Sequence, residues 1–349
     1  MSAINETNPL GIHGIDFVEF SGPDPQHFDQ LFRALGFSKT GMHRGQPIDY
    51  YVQNDVQFLV NRRDAGHAAG FREAHGPSIS SMGLRVEDAT FAHAEALRRG
   101  ARPAGPEVDA DLALPAIYGI GDSLVYFTDS FGERGSLFER FFAPLESPQI
   151  VEGKGFLLID HLTNNVRKGR RDLWASFYKD IFGFREIRYF DIRGKKTGLT
   201  SYALQSPCGT FSLPINEGTE AKSQIEEYLR EYQGEGIQHL ALLTRDLLTS
   251  LDRMEGGPIE TLDIDDAYYD EVFTRVPKVT EDRGHIRRHN VLVDGDEEGY
   301  LLQIFTKNVI GPIFFELIQR KNHHSFGEGN FTALFQSIER DQERRGALD

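Results

Sequence analysis

Two histidines and one glutamate, His161, His239 and Glu316, lie inside apolar segments where an ionisable side chain is unusual. Glu316 interrupts the run from Ile313 to Ile318, whose β-branched and aromatic residues predict a buried strand. An ionised carboxylate in such a strand is costly unless a positive group meets it. Two imidazoles and one carboxylate that converge on a point form the ligand set of many non-haem Fe(II) oxygenases. The sequence therefore predicts a candidate iron site.

These three candidate ligands lie far apart in the chain, so local spacing does not identify the site. Residues alternate between the two faces of a strand, and each ligand must therefore turn its own face toward a shared cavity. Each histidine alone fits a hydrogen-bonded core residue better than a ligand, and Glu316 alone fits a pair with an arginine. The pattern by itself leaves both interpretations open.

A second histidine pair, His285 and His289, has a spacing that places both side chains on one face of a helix. Arg287 and Arg288 lie between them and would repel a cation, so this stretch is predicted to be a solvated basic segment. The single cysteine, Cys208, cannot form an internal disulfide and is predicted to be a turn residue.

The composition describes an ordinary globular protein. The chain has 349 residues, 39% of them hydrophobic and 26% charged, which is enough for two domains with separate cores. A formal net charge of −15 argues against nucleic acid and anionic membrane surfaces as partners. We expect no membrane span and no signal peptide, and the lone cysteine fits a reducing cytoplasm.

The chain repeats itself weakly, which indicates a duplicated unit. Residues 14–20 open the first half and residues 158–164 open the second, and each segment is followed by a predicted helix and a Gly-Phe pair. A strand pair is predicted near the end of each half, at 124–128 with 137–142 and at 301–306 with 313–318. We therefore predict tandem domains at residues 1–150 and 151–349.

Chemistry is expected only in the second half. At the positions of His161 and His239 the first half has Phe17 and Met82, although Glu139 parallels Glu316. One carboxylate without two imidazoles does not make a metal site, so residues 1–150 are predicted to be a metal-free scaffold and interface domain. At the other end, the apolar residues from Phe331 to Ile338 follow a helical period and predict an amphipathic C-terminal helix.

The second half resembles 4-hydroxyphenylpyruvate dioxygenase, a family of the vicinal oxygen chelate superfamily, and the first half does so more loosely. The resemblance rests on segments 155–166, 189–192, 198–201, 214–217, 236–241, 301–305, 315–320 and 326–340. It implies an α+β fold in which paired βαβββ modules form an open, barrel-like mixed sheet in each domain.

The resemblance also implies an activity. The family converts 4-hydroxyphenylpyruvate and O2 to homogentisate and CO2 in tyrosine and phenylalanine catabolism, with Fe(II) as the cofactor. The substrate is a small α-keto acid, no nucleic acid or membrane takes part, and bacterial relatives suggest a homotetramer. Carried over by motif, His161, His239 and Glu316 would hold the iron.

The remaining site residues are also carried over from the family. Gln303, Gln238 and Asn216 would act in catalysis and, with Ser201 and Gln224, would orient the substrate. The aromatic wall would comprise Phe305, Phe314, Phe326 and Phe331. Strict alternation points Gln238 away from His239, so both residues reach one cavity only if the strand is bulged there.

Three alternatives remain. 4-Hydroxymandelate synthase uses the same substrate and metal, but residues 214–216 and Phe331 look more like the dioxygenase. A non-catalytic ligand-binding protein is disfavoured because two histidines and a buried carboxylate would be destabilising without a metal. A zinc-dependent lyase or isomerase is disfavoured because four-coordinate Zn²⁺ does not favour three open positions.

Overall fold

The computed structural model describes residues 4–106, 111–194, 197–344 and 346, and its main feature is a pair of eight-stranded mixed sheets with helices packed against them. The strands of the first sheet are β1 (Ile12–Ser21), β2 (Ser38–His43), β3 (Ile48–Gln53), β4 (Val56–Asn61), β5 (Ser78–Val86), β6 (Ala116–Tyr118), β7 (Leu124–Thr128) and β8 (Phe142–Gln149). The strands of the second sheet are β9 (Phe156–Val166), β10 (Arg185–Arg193), β11 (Gly198–Gln205), β12 (Ser212–Gly218), β13 (Gly236–Thr244), β14 (Leu292–Gly295), β15 (Tyr300–Phe305) and β16 (Phe314–Lys321). The predicted α+β class is confirmed.

The helices connect and cover the strands. They are α1 (Pro25–Ala34), α2 (His67–His75), α3 (Ala89–Arg98), α4 (Leu137–Phe141), α5 (Arg171–Phe182), α6 (Gln224–Glu231), α7 (Leu247–Asp252), α8 (Asp266–Arg275), α9 (Arg283–Arg288) and α10 (Phe331–Arg344). The predicted C-terminal helix is confirmed as α10. No helix in the described ranges is both long enough and apolar enough to cross a bilayer.

The two sheets have corresponding strand orders. The first runs β6-β7-β5-β1-β4-β3-β2-β8, and the second, taken from its opposite edge, runs β14-β15-β16-β13-β9-β12-β11-β10. The orders correspond when β5 is matched with β13 and β1 with β9, which leaves β8 and β14 as additional edge strands. In both sheets this inner pair is antiparallel, and the next strand outward, β7 beside β5 and β16 beside β13, is parallel. This correspondence agrees with the predicted duplication.

The strand register corrects the first-half counterpart of Glu316, for which the sequence suggested Glu139. In the second sheet Ala241 pairs with Glu316 on one side and with His161 on the other. The equivalent row of the first sheet is Phe17, Gly83 and Tyr126. Tyr126 therefore occupies the position of Glu316, and Glu139 lies on α4 outside the sheet.

The counterpart of His239 shifts by one residue for the same reason. His239 pairs with Thr163, two positions along β9 from His161, and the matching pair in the first sheet is Glu19 with Ser81. Ser81, rather than Met82, corresponds to His239. Sequence spacing missed this because the counterpart depends on which residues pair across neighbouring strands.

The predicted strand at residues 137–142 is wrong. Residues Leu137–Phe141 form helix α4, because the Ser136 side chain accepts a hydrogen bond from the Phe138 backbone N–H and caps the first turn. The strand β8 begins only at Phe142 and pairs with β2 at the sheet edge, where its prolines need no ladder hydrogen bond.

One hydrophobic core runs through both halves. Aromatic contacts join them, with ring centroids 6.2 Å apart between Phe58 and Phe315 and 6.4 Å apart between Phe127 and Phe182. The core fixes β9, β13 and β16 at the centre of the second sheet, and these three strands carry the candidate ligands.

Candidate metal centre and ligand cavity

The three predicted ligands meet at the centre of the second sheet. His161 on β9 and Glu316 on β16 flank Ala241 in one row, and the small Ala241 side chain leaves room for them to approach across it. The Nε2 atom of His161 lies 3.0 Å from Glu316 Oε2, and the Nε2 atom of His239 lies 3.5 Å from the same oxygen. The three donor atoms lie within 4.8 Å of one another.

A buried ion pair orients His161. Its Nδ1 atom donates to Asp160 Oδ2 over 2.8 Å, because a carboxylate only accepts. Arg320 binds both oxygens of Asp160, with Nε 2.7 Å from Oδ1 and Nη2 2.8 Å from Oδ2. A histidine ligand typically donates its second N–H to such a carboxylate, which fixes the tautomer and directs Nε2 to the metal.

His239 is oriented through a strand irregularity. Its Nδ1 atom lies 3.2 Å from the Oε1 atom of Gln238. The pairing of β13 with β9 shifts register between Ile237 and His239, so Gln238 lies in a bulge. The bulge turns neighbouring side chains toward one side, and Gln238 and His239 both line the same cavity. The strand bulge that Gln238 and His239 need in order to reach one cavity is therefore present in the fold.

The electrostatics of the cluster favour a bound cation. Burial disfavours charge on His161, but Glu316 and Asp160 outweigh it and raise the pKa of His161 to about 9. Burial likewise opposes charge on Glu316, yet the two imidazoles lower the pKa of Glu316 to about 2. Burial lowers the pKa of His239 despite the carboxylate beside it. Glu316 is therefore ionised and draws positive charge to this point.

The donor set fits a divalent ion. Three buried nitrogen and oxygen donors converge, and the Nδ1 atom of each imidazole faces an acceptor, so both Nε2 atoms face the point of convergence. Two imidazoles with one carboxylate leave adjacent positions open on an octahedral metal, as in non-haem Fe(II) sites.

A cavity of about 660 Å³, its mouth included, adjoins the three candidate ligands, and most of its lining is apolar. Of the residues predicted to contact substrate, eight line it: Ser201, Asn216, Gln224, Gln238, Phe305, Phe314, Phe326 and Phe331. Phe314 stacks on the His239 ring with centroids 4.8 Å apart, and Phe326 meets the His161 ring edge-on at 5.5 Å. The aromatic wall therefore begins directly at the imidazoles.

Gln303 is not among the residues that line this cavity. It is 1% exposed on β15, and neither its Oε1 nor its Nε2 atom has a hydrogen-bond partner among the described residues. Its amide packs against Gly327, at φ +78°, where an added Cβ would lie 2.7 Å from Gln303 Oε1. The segment before α10 thus separates Gln303 from the cavity.

Sequence reasoning missed two groups of residues. The first is the Asp160–Arg320 ion pair, although Asp160 stands beside His161 and Arg320 lies on the strand that carries Glu316. The second group completes the cavity lining: Thr163, Phe190, Ile192, Leu199, Pro214, Leu334, Phe335 and Ile338. Leu334, Phe335 and Ile338 lie on α10, and the helical period of the apolar residues there was the sequence signal for them.

Comparisons with known proteins agree with this architecture. Residues 6–143 match the family model described as hydroxyphenylpyruvate dioxygenase, N-terminal. Residues 158–302 match the glyoxalase, bleomycin resistance protein and dioxygenase superfamily.

Similar proteins align over nearly the whole chain. The protein MelA of Shewanella colwelliana is 58% identical over 99% of both chains, and 4-hydroxyphenylpyruvate dioxygenase of Pseudomonas aeruginosa is 44% identical over 100% of this chain and 99% of its own. Among solved structures, a triple mutant of 4-hydroxymandelate synthase from Streptomyces coelicolor has a TM-score of 0.81 at 24% identity. That alignment covers 95% of this chain and 99% of the other, and it supports the fold.

Proposed function

The chain belongs to the 4-hydroxyphenylpyruvate dioxygenase family, and on that premise we propose that it converts 4-hydroxyphenylpyruvate and O2 to homogentisate and CO2. The observation that carries the proposal is the convergence of His161, His239 and Glu316 at the base of an aromatic cavity. The reaction balances, because one O2 is added while the keto acid loses one carbon as CO2. It belongs to the breakdown of tyrosine and phenylalanine.

The resident metal is Fe(II), held by the Nε2 atoms of His161 and His239 and by the Glu316 carboxylate. Fe(II) would supply activation of O2 and the positions at which the keto acid is chelated. Support comes from the donor set, its burial and the orientation of both imidazoles. Neighbouring groups fix the orientation of the two imidazoles. The Asp160–Arg320 pair orients His161, and the Gln238 amide orients His239.

The cavity binds and orients the substrate. The phenol ring fits the aromatic wall of Phe305, Phe314 and Phe326, since ring edges and faces there offer favourable stacking. Ser201 and Asn216 pair across β11 and β12 and both line the cavity. Their hydroxyl and amide groups would hydrogen-bond the polar ends of the substrate, as would Gln224 and Gln238.

The segment that leads into α10 excludes water. Phe326 and Phe331 both contact Phe190, with ring centroids 6.1 and 5.1 Å apart, and all three rings line the cavity. A closed apolar mouth protects reactive species from hydrolysis and side reactions. Gln303 lies just behind this segment, its amide has no hydrogen-bond partner in the described part of the chain, and it would reach the substrate when the Gly327 region shifts.

We also propose the domain roles. Residues 1–150 form a metal-free scaffold and interface domain, and residues 151–349 form the catalytic domain with its lid helix. Phe17, Tyr126 and Ser81 at the positions of the three ligands support this division. A homotetramer and a cytoplasmic location complete the proposal, and the single cysteine is consistent with a reducing compartment.

The decisive experiment uses anaerobically purified protein reloaded with Fe(II). We expect one O2 consumed per 4-hydroxyphenylpyruvate and homogentisate as the product identified by chromatography. A 4-hydroxymandelate product would keep the fold and metal site but replace the proposed reaction. Absence of O2 uptake by iron-loaded protein would contradict the proposal outright.

Asn216→Ala should change the product distribution more than the iron content. Asn216 lies on the cavity wall and is not a candidate ligand, so iron content should stay at the wild-type level. Loss of one substrate hydrogen bond should lower kcat/KM about tenfold, equivalent to about 1.4 kcal/mol, and should divert part of the product from homogentisate. Thr200→Ala is the control, because Thr200 precedes Ser201, the partner of Asn216 on the neighbouring strand β11, and lies outside the cavity lining. An unchanged homogentisate yield would remove Asn216 from the substrate site.

Gly327→Ala should impair catalysis through backbone strain. At φ +78° an alanine costs about 1–2 kcal/mol, and its Cβ would collide with the Gln303 amide. We expect a lower kcat with iron content unchanged. Gly45→Ala is a matched control, because its Cβ would meet nothing within 4 Å. Equal activity of the two variants would mean that the segment before α10 does not govern the reaction.

A further inference from the structure

The surface pair His285 and His289 acquires a third potential ligand that the sequence did not indicate. Asp252, at the end of α7, extends its Oδ1 atom toward both histidines. The Nε2 atoms of His285 and His289 lie 2.8 and 2.9 Å from that oxygen, and the two imidazole centroids are 5.0 Å apart. The segment that the sequence predicted to be solvated and basic therefore contains a convergent cluster.

A guanidinium nitrogen lies close to all three atoms that could bind a metal, Asp252 Oδ1 and the two histidine Nε2 atoms. The Nη2 atom of Arg288 is 2.6 Å from Asp252 Oδ1 and 3.1 Å from each histidine Nε2. Arginine only donates and the carboxylate only accepts, so each Nε2 atom faces a donor and an acceptor at the same time. Neither protonation state of an imidazole satisfies both neighbours, whereas a metal ion in place of the guanidinium would bind Asp252 Oδ1 and both Nε2 atoms.

The surroundings of the cluster allow a metal ion to replace the Arg288 guanidinium. Side-chain exposures of 40% for Asp252, 26% for His285, 13% for His289 and 55% for Arg288 leave one side of the cluster open to solvent. Arg288 has a second acceptor in Glu255, 3.8 Å away, to which it could turn. Arg287 is already directed toward Asp266. The repulsion expected from two arginines is thus reduced to that of one exposed side chain, Arg288.

We propose that Asp252, His285 and His289 form a second metal site for late first-row divalent cations such as Zn²⁺, with Arg288 as a competing internal cation. Two imidazoles at helical i, i+4 spacing with one carboxylate suit these ions. The site joins α7, which follows the strand of His239, to α9, which precedes β14 at the sheet edge. Its expected effect is a stabilising cross-link between these two helices. The inference does not rest on the proposed function, because none of its residues belongs to the cavity.

The test titrates Zn²⁺ into the anaerobic, Fe(II)-loaded protein by equilibrium dialysis and measures zinc and iron per chain by mass spectrometry. We expect one zinc per chain with iron unchanged, and a higher melting temperature with zinc. His285→Ala/His289→Ala should weaken zinc binding at least about 100-fold and abolish the thermal shift. His13→Ala, which removes an exposed histidine paired with Glu87, should behave as wild type.

Arg288→Ala gives an independent test with the opposite sign. Removing the competing guanidinium should strengthen zinc binding about tenfold, or about 1.4 kcal/mol. Equal zinc binding by wild type and the double-histidine variant would overturn the proposal, as would zinc bound only in exchange for iron. Weaker binding by Arg288→Ala would show that the arginine supports the cluster rather than competes with a metal.

Discussion

Glu316→Ala should reduce turnover at least about 1,000-fold, equivalent to about 4 kcal/mol, and should leave the protein with little bound iron. Both imidazoles approach the same oxygen of this carboxylate, so its loss removes one ligand and the negative charge that makes the site attractive to a cation. Two neutral histidines alone leave a divalent ion weakly held. Iron content, O2 uptake and homogentisate should be measured together on the variant and on wild type.

Glu139→Ala is the matched control. Glu139 resembles Glu316 in its sequence context, but it is exposed on α4 and lies outside the sheet. Its removal should change neither iron content nor turnover. An active, iron-loaded Glu316→Ala protein would refute the ligand assignment, and loss of activity in both variants would point to a general folding defect.

Arg320→Met should have the second largest effect, on stability and on iron affinity together. Arg320 neutralises Asp160, whose pKa is held well below its usual range by Arg320 and His161 against the opposing effect of burial. Removing one partner of a buried pair leaves an uncompensated charge and costs about 3–5 kcal/mol. Asp160 also orients His161, so iron affinity should fall about 10–100-fold. Chemical denaturation and iron titration measure the two effects.

The same arginine also holds the segment that closes the cavity. Its Nη1 atom donates to the carbonyl oxygens of His323 and Ser325, 3.1 and 2.6 Å away, just before Phe326. Loss of these bonds should raise KM as well as lower stability.

A double variant separates the contributions of Arg320. Asp160→Asn/Arg320→Met leaves no uncompensated charge at the position of this pair and should recover part of the lost stability. Arg98→Met, which removes an exposed arginine from its pair with Glu95 on α3, should leave the melting temperature and iron affinity unchanged. If Arg320→Met were as stable as Arg98→Met, the buried pair would not contribute as proposed.

Much of the fold was accessible from sequence because it depends on local and periodic signals. The duplicated strand-helix order, the helix at the C-terminus and the strand that carries Glu316 all follow from apolar periodicity. The strand predicted at residues 137–142 failed because a Ser136 cap favours one helical turn over an extended chain. A short apolar run alone does not distinguish these two conformations.

The types of the three candidate ligands were visible in the sequence, since a carboxylate and two imidazoles in apolar strands are costly without a partner. Their convergence was not, because it depends on which strands are neighbours and on register. Only the fold places Ala241 between His161 and Glu316, and only the bulge before His239 brings Gln238 to the same cavity. Single-residue register shifts reverse the face of every side chain.

Partners from distant segments were decided by tertiary structure alone. Nothing in the sequence joins Asp160 to Arg320, or Asp252 to His285 and His289, because these contacts form between segments separated by whole elements. Sequence pattern determines which elements form and which of their faces are buried. The positions at which polar side chains meet are set by how those elements pack, and at the candidate metal centre that packing sets the distances between His161, His239 and Glu316.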